Sequence, residues 1–354
     1  MKTGCWNRTS NEQGIDQPEI ARTMNGPDNP YTNEFTRLLA IESPIICGAM
    51  YPCSNPELVA AASEAGGIGI VQPISLTYVY GYDYRAGLRY IRSLTGKPIG
   101  VNMLVEGSSS TYRKRLEEWM DISLEEDVRF FVTALGNPRW VVDKASQVGG
   151  IVFHDATNAT HAKKALDNGV DGFICVNNRA GGHAGDLSPQ VLYDEISPLG
   201  MPTICAGGVG DRHAFHEALK IGYLGVQMGT RFIASKEAAA HDDYKNAIIT
   251  AKAADIVLTE RISGVPVSVI NTPYIQRLGL KAGWLARQLL KSRWTKHWMR
   301  AFYAIVSGLK LKKANLRGSG YKDFFQAGKS VEMIDDVASV ADIMNELRDG
   351  HGNS

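Results

Sequence analysis

The sequence predicts an α/β fold, a (β/α)8 TIM barrel with a helical, basic C-terminal extension. Two observations carry this reading. Eight short apolar runs rich in β-branched residues recur between residues 44 and 232. Most are continuous rather than alternating, as strands covered on both faces should be. Between them lie stretches bounded by helix start and stop signals, so the chain repeats strand, helix, glycine, strand. An open doubly wound sheet uses the same units, and the count of eight favours closure.

The runs are Pro44–Met50, Ile68–Pro73, Ile99–Leu104, Val128–Leu135, Gly150–Asp155, Gly172–Asn177, Pro202–Gly208 and Gly225–Phe232. Pro56–Ala65 reads as a helix with Asn55 as N-cap, Pro56 first, and Gly66-Gly67 as its stop. Thr157–Asn168 is a second, stopped by Gly169. Asp211–Ile221 is a third, capped by Asp211 and stopped by Gly222, with His213 and His216 expected on its solvated face.

Composition narrows the function. The 354 residues allow one large domain or two ordinary ones. Lys and Arg number 38 against 37 Asp and Glu, so charge gives no global pull toward nucleic acid or membranes. The cysteines (Cys5, Cys47, Cys53, Cys175, Cys205) are odd in number and lack CxxC spacing. They read as reduced thiols of a cytoplasmic protein. No run is long enough to span a bilayer, and no signal peptide is evident. Metal-ligand spacings and the G-x-S-x-G nucleophile motif are missing, so no metal is expected. The organisation expected is a polar lead-in (1–35), a barrel (36–260), a basic helical segment (261–322) and a C-terminal segment packing back on the barrel (323–354).

The sixth run is followed directly by Ala180-Gly181-Gly182-His183-Ala184-Gly185. Small residues on both sides leave the His183 imidazole free at a strand's exit and let backbone approach a ligand. In parallel α/β proteins chemistry is done at that exit. The seventh run ends Ala206-Gly207-Gly208 and the eighth Met228-Gly229-Thr230. Glycine can serve only a tight turn, but at these two exits it also exposes N–H groups suited to a phosphate, with Thr230 adding a hydroxyl. Gly48, Ala49 and Met50 at the first exit suit a flat ring system. Gln72 and Asn102 can meet a heterocycle's polar edge, or be ordinary strand-end polarity. Cys175, inside a strand, reads as core.

These segments together, from Pro44-Ile45-Ile46-Cys47-Gly48-Ala49-Met50 through Gly100-Val101-Asn102 to Met228-Gly229-Thr230-Arg231-Phe232, resemble the nitronate monooxygenase family, formerly 2-nitropropane dioxygenases. Its superfamily also holds flavin enoyl-acyl-carrier-protein reductases and an NADH:quinone reductase. The similarity runs from about residue 36 to about 280 and returns at Phe325-Gln326-Ala327-Gly328-Lys329-Ser330-Val331. The resemblance implies an FMN-dependent barrel. Gly48, Ala49 and Met50 would lie along the isoalloxazine, with Gln72 and Asn102 at its polar edge. Gly181 and Gly182 would lie close to it, Ala206, Gly207, Gly208, Met228, Gly229 and Thr230 about the phosphate, and His183 would be catalytic. Some relatives carry a lysine where this chain has His154-Asp155, and Asp155 joins the cofactor set with that difference.

The activity implied is oxidation of alkyl nitronates with dioxygen to a carbonyl compound and nitrite. The alternative is an NAD(P)H reductase of enoyl thioesters or quinones. From Arg261 to Lys322 no acidic residue occurs. Leu290, Trp294, Trp298, Ala301 and Ile305 share helical spacing opposite Arg293, Lys296 and Arg300. The plain reading is a helix packed on the barrel. Residues 281–317 could instead dock acyl carrier protein or an anionic membrane, or form a lid.

Overall fold

The computed structural model describes residues 29–105, 110–261, 266–281 and 324–349. Eight parallel strands close into a barrel in sequence order. They are β1 (Ile45–Cys47), β2 (Ile68–Val71), β3 (Ile99–Leu104), β4 (Phe130–Ala134), β5 (Ile151–Ala156), β6 (Gly172–Val176), β7 (Thr203–Ala206) and β8 (Gly225–Met228). Closure is made by β1 on β8, where Ile45 faces Val226 and Cys47 faces Met228. The open doubly wound alternative is thereby excluded.

Six of the eight strands are shorter than their apolar runs, because several runs continue into the exits. β4 stops at Ala134 because Leu135 and Gly136 both turn left-handed, with φ of 61° and 69°. β7 stops where Gly207 takes φ of 111°, and the end of the eighth run winds into a helical turn, Thr230–Ile233.

Alternation sorts each strand into two faces. Ile45, Val101, Phe131, Val152, Phe173, Cys175 and Val226 face outward into the layer shared with the helices. Ile46, Ile68, Ile70, Phe130, Val132, Phe153, Ile174 and Ile204 fill the interior. Gly172 leaves room for this filling, since a Cβ there would sit 2.5 Å from the Phe153 ring. The bottom of the barrel is plugged by the helix Glu34–Leu39. Its capping box joins Asn33 and Thr36, and Asn33 also donates to the Leu224 carbonyl at 2.7 Å. Phe35 is thereby seated against Phe130 and Phe153, at ring distances of 6.3 and 5.7 Å. Residues 29–35 thus belong to the barrel's floor, and Tyr31 reaches the Arg348 carbonyl at 2.6 Å.

Three local expectations need correction. Asn55 stands at the N-cap position of Pro56–Glu64 but makes no capping bond. Its amide is drawn to Glu57, the Glu237 carbonyl and the Ala239 N–H, tying this helix start to the segment after β8. The helix Ala159–Leu166 is capped by Asn158, whose Oδ1 accepts from His161 N at 2.9 Å. The helix Arg212–Ile221 is capped by Asp211 as expected, and His213 is exposed, but His216 is half-buried beside Tyr31 and Phe215.

The stretch after residue 260 is not simply helical. β9 (Ile256–Thr259) and β10 (Val267–Ile270) form an antiparallel pair, followed by the short helix Pro273–Leu278. Val267-Ser268-Val269-Ile270 is buried throughout and β-branched at three of its four positions, which favours a strand. The tryptophan-bearing helix and the docking or lid roles of 281–317 lie outside the described residues, save Lys281. Residues 324–349 return to the barrel. Arg231, buried, holds the Asp336 carboxylate at 2.6 Å, and the helix Val340–Asp349 buries Val340, Ile343, Met344 and Leu347. Among the described residues no helix is long and apolar enough to cross a membrane.

Removing the floor's central ring should leave a void that the barrel cannot collapse. Phe35→Ala is expected to cost about 3–5 kcal/mol, read as a lowered midpoint in urea unfolding.

Candidate active site

Each strand carries one inward-facing residue to the top of the barrel, within two residues of its C-terminal end. In order these are Gly48, Gln72, Asn102, Ala134, Asp155, Val176, Ala206 and Gln227, and all eight line one cavity of about 900 Å³. The exit loops raise its walls. Every residue singled out from the sequence lies on it: Gly48, Ala49, Met50, Gln72, Asn102, Asp155, Gly181, Gly182, His183, Ala206, Gly207, Gly208, Met228, Gly229 and Thr230.

Asn177 organises the loop that carries His183. Its Nδ2 donates to Gly207 O at 2.9 Å, and its Oδ1 accepts from Arg179 N at 2.8 Å. Its carbonyl accepts from Ala180 and Gly185. The far side of the loop is pinned by β10, where Ser268 N donates to Gly182 O at 2.7 Å. Gly328 packs against the near side, where a Cβ would lie 2.6 Å from Arg179 O. His183 is exposed toward the cavity. Desolvation by the surrounding protein lowers its pKa from the ordinary imidazole value, so the ring is neutral at neutral pH.

The exits of β7 and β8 form a backbone cradle. Gly207 and Gly208 are left-handed, with φ of 111° and 81°. A Cβ on Gly207 would lie 2.5 Å from Ala180 N, and one on Gly208 would lie 2.6 Å from the Arg179 Nε. Thr230 Oγ1 already accepts from Gly328 N at 3.0 Å, which leaves its proton for another acceptor.

Several lining residues escape sequence reasoning. Gln227 sits within an apolar run, and only the register turns it inward. Arg179 places a guanidinium beside Gly208; its place directly before the motif is the one signal it gives. Tyr244, Gln326 and Ser330 arrive from segments that fold back over the barrel. Tyr244 stacks on Phe325 at 4.7 Å and bonds the Gln326 carbonyl.

Two neighbouring residues of β5 have opposite surroundings. Asp155 faces inward, and its Oδ1 is buried without a hydrogen-bond partner. Burial pushes its carboxyl up to about 7. His154 faces outward, with Nδ1 2.8 Å from Thr133 Oγ1. Thr133 donates to Phe153 O, so it accepts from His154. Burial, with help from His161, brings the His154 pKa down to about 4. The cavity continues past His154 as a groove. One side is the turn Leu135–Pro138, and the other is the face of the helix Ala159–Leu166 and its end that carries His161, Lys164, Ala165, Asp167 and Asn168.

Cys47, Cys53, Cys175 and Cys205 are buried free thiols, and burial raises the pKa of each, which disfavours the nucleophilic thiolate. Among the described residues no cluster of three or more His, Cys, Asp or Glu could hold a metal.

A closed parallel barrel with its cavity at the strand exits is the frame of an enzyme, and the matches that follow make it a flavin-dependent oxidoreductase. The nitronate monooxygenase family model matches residues 32–350, and the chain belongs to that family. It is 25% identical over 339 residues to the (3aS,4S,5R,7aS)-5-hydroxy-7a-methyl-1-oxo-octahydro-1H-indene-4-carboxyl-CoA dehydrogenase of Rhodococcus jostii, covering 88% of this chain and 94% of that one. It is 30% identical over 276 residues to the nitronate monooxygenase of Pseudomonas aeruginosa, covering 66% and 78%. The structure of FabK from Thermotoga maritima superposes with a TM-score of 0.73 at 28% identity, covering 88% and 94%.

Because Ser268 N is the donor that holds Gly182, Ser268→Pro should release the His183 loop. Faster amide exchange across residues 181–185, with the barrel's melting temperature little changed, is the expected result.

Proposed function

We propose that this chain is an FMN-dependent oxidoreductase acting on an acyl thioester. The carrying observation is the cavity's lining. Besides the ring of inward-facing residues and His183 it takes in the apolar Leu104 and Leu135 and, on the groove's helix Ala159–Leu166 and just past it, His161, Lys164, Asp167 and Asn168. A compact nitronate has no use for that groove. A thioester with an apolar acyl part and an anionic tail does.

The residues present fit FMN. The left-handed pair Gly207-Gly208 makes a cradle that a Cβ would fill, with the Arg179 guanidinium beside it for a phosphate. Gly48, Ala49 and Met50 offer a slim wall for a ring, and Gln72, Asn102 and Gln227 offer amides to a polar edge. Bound there, FMN would supply the hydride exchange that the side chains cannot.

The chain's own part is binding and proton movement. When the substrate is oxidised, His183, neutral and open to the cavity, can accept a proton from an acidic C–H or O–H; when an enoyl thioester is reduced, the same ring in its protonated form can return a proton to the carbon beside the thioester carbonyl. Desolvation in the cavity strengthens each polar contact to a thioester carbonyl. Lys164 and His161 would meet the anionic tail at the groove's outer end.

The Rhodococcus jostii relative, a carboxyl-CoA dehydrogenase by name, matches over nearly its whole length and supports this reading. Oxidation of nitronates is the second reading, favoured by the family model and the Pseudomonas aeruginosa relative. Both use His183, and NAD(P)H as the reductant belongs to the thioester reading.

Anaerobic titration of the yellow protein separates them. Bleaching by NAD(P)H and recovery of colour with an enoyl-CoA is expected. Bleaching by propionate-3-nitronate but not by NAD(P)H would instead establish the second reading. With CoA and pantetheine thioesters of one acyl group, the CoA form should show the lower KM, and Lys164→Glu should narrow the gap. His183→Ala should lower turnover by about 10²–10⁴-fold while flavin stays bound, and Gly208→Val should yield colourless, folded protein. Substrate oxidation should slow as pH drops below the lowered His183 pKa, since the protonated ring cannot accept a proton, and enoyl reduction should slow as pH rises above it.

A further inference from the structure

Asp155 is the only acid in the ring of eight inward-facing residues. Its partner on β6 is the apolar Ile174, and the ring residues contributed by the two flanking strands, Ala134 on β4 and Val176 on β6, are uncharged. Across the barrel stand Gln72, Asn102 and Gln227, all neutral. Thr133, Cys175 and its own neighbour His154 point away from the interior. The other titratable or charged groups of the cavity wall sit on exit loops (Tyr51, Arg179, His183), at the groove (His161, Lys164, Asp167) or on the helix Asp242–Thr250 (Tyr244). None of them forms an ion pair with Asp155 in the structure, and one carboxyl oxygen is buried without any hydrogen bond.

Such a group is costly to keep, because a buried carboxyl without a cation or donor is stable only when neutral. A neutral carboxyl carries one O–H donor. Donors aimed into the ring from Gln72, Asn102 and Gln227 are amides, and their protonation does not change with pH.

We propose that Asp155 is a cofactor-positioning carboxylic acid, which binds in its protonated form and donates a hydrogen bond to an electron-rich ring nitrogen or carbonyl of the flavin. This rests on the reading of the cavity as an FMN site. Ionised, the same side chain would lose its donor and place an unpaired negative charge against the ring. Flavin binding should therefore be coupled to the proton on this carboxyl. The sign follows from the raised pKa: the binding-competent form is fully populated below about 7 and is lost as pH rises through it.

The test is FMN binding to flavin-stripped full-length protein, followed by fluorescence quenching and by calorimetry in buffers of different ionisation enthalpy. For the native chain, Kd should be flat at acid pH and should rise above about 7, approaching tenfold per pH unit, with up to one proton taken up per FMN bound. Asp155→Asn keeps a donor of similar shape but cannot ionise. It should bind FMN with a Kd near the native acid value and lose the Asp155-linked rise. Asp155→Leu should bind weakly at every pH and remain folded by circular dichroism. Riboflavin, which lacks the phosphate, should show the same difference between native chain and Asp155→Asn. Parallel pH curves for these two would overturn the proposal while leaving the FMN site intact. Failure of the native chain to bind FMN at any pH would overturn the FMN reading and this inference with it.

Discussion

Closure of eight parallel strands imposes a parity that everything else obeys. Once β1 pairs with β8, each strand has one face toward the helices and one toward a narrow axis. Below, that axis is filled by Phe130, Phe153, Ile174 and Ile204 and sealed by Phe35. Above, the same parity brings forward one residue per strand, with no further layer over it, and the packing requirement ends. Polar and small side chains can be held there at little structural cost. The site is the uppermost layer of the barrel with its filling left out.

Parity also explains what could be read beforehand. Strands buried on two faces announce themselves as continuous apolar runs, and glycine marks their exits, so the eight strands and the His183, Gly207-Gly208 and Gly229-Thr230 loops were legible. Gln227 was not, because an inward polar residue within Gly225–Met228 looks like an interruption until the register assigns its face. The six-residue helix that carries Phe35 is too short to show a period. Ser268, Tyr244 and Gln326 reach the site through pairings far apart in sequence, which no local pattern encodes. Substrate choice was the least legible, since His183 and the glycine loops suit more than one chemistry, and the groove arises only when the turn at Leu135 meets the helix Ala159–Leu166.

β5 shows how a single step along a strand separates structural from chemical duty. His154 turns outward, bonds Thr133 and is driven toward its neutral form by burial. Asp155, one residue on, turns inward and meets no partner. Adjacent residues of similar polarity thus fall under different constraints: one is satisfied by the fold, the other is left for what enters the cavity.

The His183 loop is clasped by two pieces of chain, β10 through Ser268 and the segment at Gly328, and these pieces also bind each other where Ile270 N donates to Phe325 O at 2.9 Å. The chain between them leaves and returns at nearly the same place. The entropy of closing such a loop grows only with the logarithm of its length, by roughly 0.6 kcal/mol per doubling. The clasp's closure is therefore nearly indifferent to how many residues separate its two halves. The barrel supplies a fixed reaction centre, and the clasp over it is built from two segments that lie far apart in sequence.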